Sequence, residues 1–369
     1  MSILLLLIII IILCATTYIG GVDEKVTRIV DLTALLNNPA QYDGWVIVKI
    51  MEGHVTLRPQ RHHYESYPFL ADQLNVADLI KLTHVVRDME IPRIDHLMFM
   101  DAWISDVRYF PLKLIDYFQE QCRANCKRWR YKDNGHDHYQ KNLPQYLANI
   151  KQKGLQPSYD TIMTEFLHSY TLCSEFPLHI VTTVITWLVN QCPLNHSCSR
   201  PRMLDMSAGR GSRMLGAMIM NVDYVGVDPD PCVHHHYDTM REFYSAVLGY
   251  KGQAIVHKDC FEKLPQSFLD EHAESFDFMF SSPPYFDQEI FSTNDTQSVH
   301  QYAQLDTWLE KFMLKPGGIL AINIDNPRHS NVDFVNPIIA LPMSRMRYMG
   351  ALGIIRGPIT FSIWCWRKI

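Results

Sequence analysis

Ser282-Pro283-Pro284-Tyr285 follows the apolar run Phe276-Asp277-Phe278-Met279-Phe280. The run reads as a buried strand, and two consecutive prolines cannot continue its hydrogen-bond ladder. The chain therefore leaves the carboxyl edge of a sheet in a stiff turn. In open α/β sheets that edge is where ligands bind. A turn offering a hydroxyl, backbone carbonyls and an aromatic ring suits a flat heterocycle that carries an amino group. The ring can stack on the base, and the oxygens can accept from its N–H groups. Taken alone, the tetrapeptide reads equally as a strand end closed by a Pro-Pro turn.

The upstream residues decide between these readings. Met203-Leu204-Asp205 is a short strand running into the glycine loop Met206-Ser207-Ala208-Gly209-Arg210-Gly211-Ser212, and Arg213 to Met220 is helix-compatible. A second strand, Val222 to Asp228, and a third, Ala254 to Cys260, each carry an acid near the carboxyl end. Leu314-Lys315-Pro316-Gly317-Gly318 precedes a further strand, Ile319 to Ile324. Strands alternating with helical segments imply a parallel sheet covered on both faces.

A glycine loop, two strand-terminal acids, the Ser-Pro-Pro-Tyr turn and the Lys-Pro-Gly-Gly segment, in this order, resemble the class I S-adenosylmethionine-dependent methyltransferases. More narrowly, they resemble the amino-methyltransferases that modify cytosine N4 or adenine N6 in DNA. The resemblance covers roughly residues 170–369. It implies an α/β, Rossmann-like fold with a seven-stranded, mostly parallel sheet, preceded by a smaller mixed α/β or mainly helical region. It assigns Asp205, Ser207, Gly209 and Gly211 to the loop around the methionine part of S-adenosylmethionine, where the backbone must approach the ligand closely. Asp228 matches the acid that bonds the ribose hydroxyls. Asp259 matches the acid facing the adenine amine, with Cys260 and Phe261 beside that ring. Phe176 and Pro177 match the segment closing over the methionine end. An acid at a strand end also serves simply as a helix N-cap, and that reading stays open for Asp228 and Asp259.

Gly209-Arg210-Gly211 could also open a nicotinamide-dinucleotide fingerprint, but the third glycine that motif needs is replaced by Met214. For the amino-methyltransferases, the resemblance makes Ser282, Pro283, Pro284 and Tyr285 the catalytic group. Ser282 and the Pro283 carbonyl would accept the amine protons, and Tyr285 would stack on the base. An aromatic amine is a weak nucleophile, so orientation and electrostatics carry the rate. A target inside a duplex would have to be swung out of the stack. Serine at the first motif position, rather than Asp or Asn, leans toward cytosine N4 over adenine N6. Phe286, Asp287, Gln288 and Glu289 would line the mouth or form a solvated loop.

The hydrophobic content of 47% is ordinary, and a net charge of −5 gives no global attraction to nucleic acid. Nine cysteines at scattered positions do not read as a disulfide framework. Dependence on S-adenosylmethionine implies an intracellular, cytosol-facing catalytic part. Ser2 to Gly21 carries no charged side chain. Residues 1–21 thus read as a membrane anchor, with residues 3–19 in the bilayer. The lack of a basic leader argues against a cleaved signal, and a start displaced from a longer upstream sequence is the other alternative.

The chain divides into residues 1–21, an N-terminal region 22–170 suited to target recognition, and the methyltransferase domain 171–369. In the second part, Trp45 to Ile50 and His54 to Leu57 read as a hairpin around Glu52-Gly53. Leu70 to Met89 and Leu112 to Arg130 read as helices. Arg123, Lys127, Arg128, Trp129, Arg130, Tyr131 and Lys132 interleave basic and aromatic residues, which suits contact with nucleic acid or a basic helix end. Cys122 and Cys126 with His136 and His138 lack paired zinc spacing. His234, His235 and His236 read as a helix start, so no metal is expected.

The function expected is methylation of an exocyclic base amine, in DNA rather than RNA, with S-adenosylmethionine as cofactor. The alternatives are a catalytically silent, membrane-tethered binding module, and methylation of RNA or of a protein glutamine amide.

Overall fold

A computed structural model describes residues 27–60, 70, 74–89, 91, 102–104, 112–128, 131–173, 175–192, 200–283, 289–290, 313–324, 345–356 and 359–369. The apolar segment 1–21 lies outside the described residues. Among those described, no helix is long and apolar enough to cross a membrane.

The N-terminal part opens with β1 (Arg28–Asp31), α1 (Leu32–Asn37) and the hairpin β2 (Trp45–Met51) and β3 (His54–Pro59). Glu52 and Gly53 take φ of 52° and 76°, the paired positive values that a two-residue hairpin turn requires. β3 lies between β1 and β2 in a three-stranded antiparallel sheet. α2 (Val76–Arg87) starts later than expected from Leu70, because the Asn75 side chain accepts from Asp78 N and caps it there. Next come β4 (Ala102–Ile104), α3 (Leu112–Asn125) and β5 (Lys127–Arg128). The expected helix from Leu112 to Arg130 therefore ends at Asn125, and Lys127 and Arg128 belong to a strand instead of a helix end. α4 (Gly135–Gln152) and α5 (Tyr159–Ser169) follow, capped by Asn134 and by the reciprocal Ser158–Thr161 pair.

The remaining elements alternate between helix and strand from residue 178 to residue 281, as the sequence implies, and further strands follow. They are α6 (Leu178–Gln191), β6 (Arg202–Asp205), α7 (Ser212–Ile219), β7 (Asp223–Val227), α8 (Pro231–Leu248), β8 (Ala254–His257), α9 (Gln266–Glu271), β9 (Phe276–Ser281), β10 (Glu289–Ile290), β11 (Leu314–Asn323), β12 (Met346–Arg356) and β13 (Ile359–Lys368). The Lys-Pro-Gly-Gly segment sits inside β11, where the register with β9 shifts between Leu314 and Ile319. His234 to His236 fall in the first turns of α8.

One eight-stranded sheet has the order β4-β12-β13-β11-β9-β6-β7-β8. The strands β8, β7, β6, β9 and β11 are mutually parallel, and β13 runs antiparallel to both its neighbours. Seven strands come from residues 202–368, and residues 102–104 add the eighth alongside β12. The chain winds outward from β6 in both directions, so the crevice between the carboxyl ends of β6 and β9 is a topological switch point.

Alternate residues of these strands fall into separate cores on the two faces. Met203, Tyr224, Phe278 and Ile319 pack with α6, α7 and α8, whereas Leu204, Val225, Met279 and Leu320 pack with Phe268 of α9. Burial on both faces is what a parallel sheet requires. The first core also takes Leu35, Val46, Leu79 and Phe118, so residues on both sides of position 170 share it.

Two disulfides join distant elements, Cys122 to Cys232 and Cys126 to Cys173. This corrects the expectation from the scattered cysteines. Partners separated by 110 and 47 residues in sequence leave no local spacing to read. It also removes Cys122 and Cys126 from any zinc site.

Candidate cofactor and substrate site

The carboxyl ends of β6, β7 and β9 bring most of the expected residues to one edge of the sheet. At the end of β6 the loop turns sharply: Gly209 and Gly211 have φ of 63° and 96°. Gly211's φ is one that side-chain-bearing residues rarely adopt, and a Cβ there would stand 2.3 Å from Met240 Cε, the mobile tip of a side chain on α8. The Gly209 carbonyl accepts from the Tyr237 hydroxyl of α8. Behind the loop, the Ser212 hydroxyl is buried at the start of α7 with no hydrogen-bond partner among the described residues.

Asp205 lies beneath this loop and bonds to it. It is fully buried. Its Oδ2 accepts from Arg213 Nε at 2.7 Å and from the Tyr224 hydroxyl at 2.8 Å. Its Oδ1 accepts from Ser281 Oγ at 3.1 Å and from Ser207 N at 3.2 Å. A carboxylate has about four lone-pair sites, and all are used. The strand-terminal acid thus organises the loop from below. Burial opposes the charge of Arg213, but Asp205 more than offsets it and its pKa is raised. Arg213 also donates to the Ser207 carbonyl and lies 5.9 Å from the Phe176 ring.

Asp228 is built differently. Oδ2 accepts from Gly209 N at 2.8 Å and Oδ1 from Asp230 N at 2.9 Å. Each oxygen keeps acceptor capacity, which suits two hydroxyl donors on adjacent carbons. Burial pushes its pKa up to about 7, against the opposing pull of the two amides. His234 Nε2 meets the Asp228 carbonyl at 2.6 Å, and Asp230 caps α8 through Cys232 N. The cap is therefore Asp230, which leaves the Asp228 carboxylate for another purpose.

Asp259 lies just beyond β8, whose His257 carbonyl accepts both Asp228 N and Asp259 N. Asp259 Oδ1 accepts from Cys260 N at 2.8 Å. Cys260 is a half-buried free thiol, and Phe261 is buried beside it. Phe176 packs edge-on against Phe280 of β9, with centroids 5.6 Å apart, and Pro177 starts α6. Glu175 and Arg210 form a buried ion pair at 3.6 Å between this segment and the glycine loop.

At the end of β9, Ser207 Oγ lies 2.9 Å from the Ser282 carbonyl and 2.7 Å from Ser281 Oγ. This ties the glycine loop to the Pro-Pro turn. Ser282 Oγ donates to Asn323 Oδ1 at 3.2 Å, and Pro283 is buried. Pro284, Tyr285, Phe286, Asp287 and Gln288 lie outside the described residues. Glu289 and Ile290 form β10, which pairs antiparallel with Arg128 and Lys127 of β5.

The basic stretch divides accordingly. Arg123 is committed to Asp116 and to the Cys173 carbonyl. Lys127 and Arg128 join the ribbon that follows the Pro-Pro turn. Tyr131 stacks on Tyr170 at 4.3 Å, and Trp129 and Arg130 lie outside the described residues. Among the described residues no cluster of His, Cys, Asp and Glu could hold a metal ion.

Arg213, Tyr224, Tyr237, Ser281 and Asn323 were not legible as site residues. Each acts through a contact with another element, which no local pattern marks, at separations from 8 residues for Arg213–Asp205 to 76 for Ser281–Asp205. A buried polar residue closing a strand, as Asn323 closes β11, is the one local sign available.

Several solved structures are similar to this chain. A class I S-adenosylmethionine-dependent methyltransferase from Listeria monocytogenes is 12% identical, with 79% of this chain and 86% of that one covered and a TM-score of 0.41. An rRNA methylase from Streptococcus thermophilus is 14% identical over 53% and 99%, with a TM-score of 0.34. Magnesium protoporphyrin IX methyltransferase from Synechocystis, with bound S-adenosylmethionine, is 12% identical over 56% and 91%, with a TM-score of 0.36. No family model and no curated protein matches the sequence. At these values the likenesses carry no argument, and the fold rests on its own topology. Five parallel strands wound outward from β6, followed by the β12–β13 pair with β13 reversed, define a class I, Rossmann-like methyltransferase sheet.

Proposed function

We propose that this protein transfers a methyl group from S-adenosylmethionine to the exocyclic amine of a nucleic-acid base, with cytosine N4 in DNA as the target. The observation that carries the reading is the junction of the glycine loop and the Pro-Pro turn. Ser207 links them directly, at the carboxyl ends of adjacent strands.

The residues present fit the cofactor. Asp228 retains acceptor capacity for the ribose hydroxyls, and Asp259 with Phe261 suits the adenine ring. Gly209 and Gly211 give the loop the tight positive-φ turn that a close approach of the methionine end needs. Bound S-adenosylmethionine supplies a methyl group on a positively charged sulfur that departs as a neutral thioether. The chain's own part is to orient the amine. Ser282 Oγ takes one N–H and the Pro283 carbonyl the other, which localises the nitrogen lone pair. The Ser282 carbonyl is already engaged by Ser207, which leaves Pro283 as the next carbonyl along the turn. Tyr285 keeps the stacking role that the resemblance gives it. After alkylation the nitrogen loses one proton to water.

The β5–β10 ribbon supports a nucleic-acid substrate, since it joins Lys127 and Arg128 to the segment that follows the turn. The test is to incubate purified full-length protein and labelled S-adenosylmethionine with cytosine- or adenine-containing DNA and RNA, then digest to nucleosides. Label in N4-methylcytosine from DNA supports the reading. Label only in protein, or in none of these, overturns it.

A further inference from the structure

We infer that Asn323 is a positioning residue that fixes the Ser282 hydroxyl as a hydrogen-bond acceptor toward the substrate, so that the group bound there must carry N–H; this rests on the function proposed above.

Ser281 and Ile322 are register partners of the parallel strands β9 and β11. Ser282 and Asn323 are therefore the next residues on both strands, side by side at the carboxyl edge. Asn323 is only 4% exposed. Its Nδ2 donates to the Ser362 carbonyl of β13 at 3.0 Å. A carbonyl can only accept, so the amide's NH2 must face Ser362 and its oxygen must face Ser282. That oxygen in turn can only accept. The single hydroxyl proton of Ser282 is thereby committed to Asn323 at 3.2 Å. What remains on Ser282 Oγ is lone pairs.

A serine hydroxyl is ordinarily ambivalent, able to donate to a ring nitrogen or carbonyl as readily as to accept from an amine. Locked in this way it discriminates. An amino group gains a hydrogen bond, whereas an unprotonated ring nitrogen or a carbonyl would set lone pair against lone pair. Asp or Asn at the first motif position would be an acceptor through its own oxygen. Serine needs a neighbour to make it one, and Asn323 is placed to do so.

The test uses full-length protein and cytosine- and adenine-containing oligonucleotides. Asn323→Leu keeps the volume and removes the acceptor, and Asn323→Ala is the smaller control. Each is expected to lower kcat by about tenfold, the worth of one hydrogen bond, with S-adenosylmethionine affinity unchanged. In a Ser282→Ala background the same Asn323 changes should cause no further fall, because no hydroxyl is left to orient. Reductions that multiply, an unaltered kcat, or failure of both variants to bind S-adenosylmethionine would overturn the inference and make Asn323 only a strut of the sheet.

A wild type that methylates no base amine would sink the proposed function, and wild type, Asn323→Leu, Ser282→Ala and the double variant then decide the orientation by urea unfolding. Coupling between the two positions of about threefold or more in the unfolding equilibrium shows that the Ser282–Asn323 bond is made. Strict additivity overturns it.

Discussion

The Asp228 carboxylate accepts the Gly209 amide at 2.8 Å, so the acid at the end of one strand holds the glycine loop that follows its neighbour. Burial raises the Asp228 pKa to about 7. With the folded value above the ordinary carboxylate range, ionisation of this group costs stability as pH rises toward 7. Ribose hydroxyls that donate to the carboxylate favour the ionised form. S-adenosylmethionine affinity is therefore expected to fall as pH drops below about 7, approaching tenfold per pH unit, and to level off above it. Calorimetry at about pH 6 in buffers of different ionisation enthalpy should show proton release on binding. Asp228→Asn should abolish both effects, and a flat profile in the native protein would remove Asp228 from the ribose site.

The Arg213–Asp205 pair, at 2.7 Å and almost fully buried, predicts a large stability effect. Arg213→Met should cost about 3–5 kcal/mol, because it leaves a buried carboxylate short of its cationic partner. Combining it with Asp205→Leu should cost less than the sum of the two changes. Urea denaturation measures both. Additive effects would show that the two residues do not act as a pair.

The two disulfides can be checked by peptide mapping without reduction. Cross-linked fragments containing Cys122 with Cys232 and Cys126 with Cys173 are expected. Cys192 and Cys365 are buried free thiols, and burial pushes Cys192 up to about 12. Both should resist alkylation until the protein unfolds. Replacing either pair by serine should cost about 2–5 kcal/mol in oxidised protein. In a reducing compartment the four sulfurs would instead be thiols. Mapping protein from its native source distinguishes the two states.

The ribbon beside the Pro-Pro turn gives a prediction for nucleic acid. Lys127→Ala with Arg128→Ala should weaken oligonucleotide binding and flatten its salt dependence by about one logarithmic unit for each phosphate left without a cationic partner. S-adenosylmethionine binding should not change. Equal slopes before and after substitution would show that these residues touch no phosphate.

Five strands of the large sheet, β6, β7, β8, β9 and β11, were legible because each carries a short apolar run between turn residues and motifs mark their ends; β4, β12 and β13, which carry no motif, were not. The glycine loop, Asp228 and Ser282 converge as expected for the same reason. Arg213 was not legible as a buried partner of Asp205, since an arginine in an amphipathic helix ordinarily reads as surface. The helix expected through Arg130 failed at Asn125 because its continuation is drawn into pairing with residues 289–290, a partner invisible to local periodicity. Asp205 was assigned to the cofactor loop because its position matches a motif; the four hydrogen bonds it accepts there come from residues 2 to 76 positions away, which no local pattern reveals.

The eighth strand has a consequence for how the chain is made. Ala102 pairs with Leu352 and Ile104 with Ile354, so a segment made earlier waits for residues 250 positions further along before it finds its partner. Contacts of such sequence separation slow folding. Until β12 arrives, the earlier segment has no edge to add to. A chain cut near residue 171 would release β12 as a bare outer edge, the kind of surface that recruits strands from other molecules.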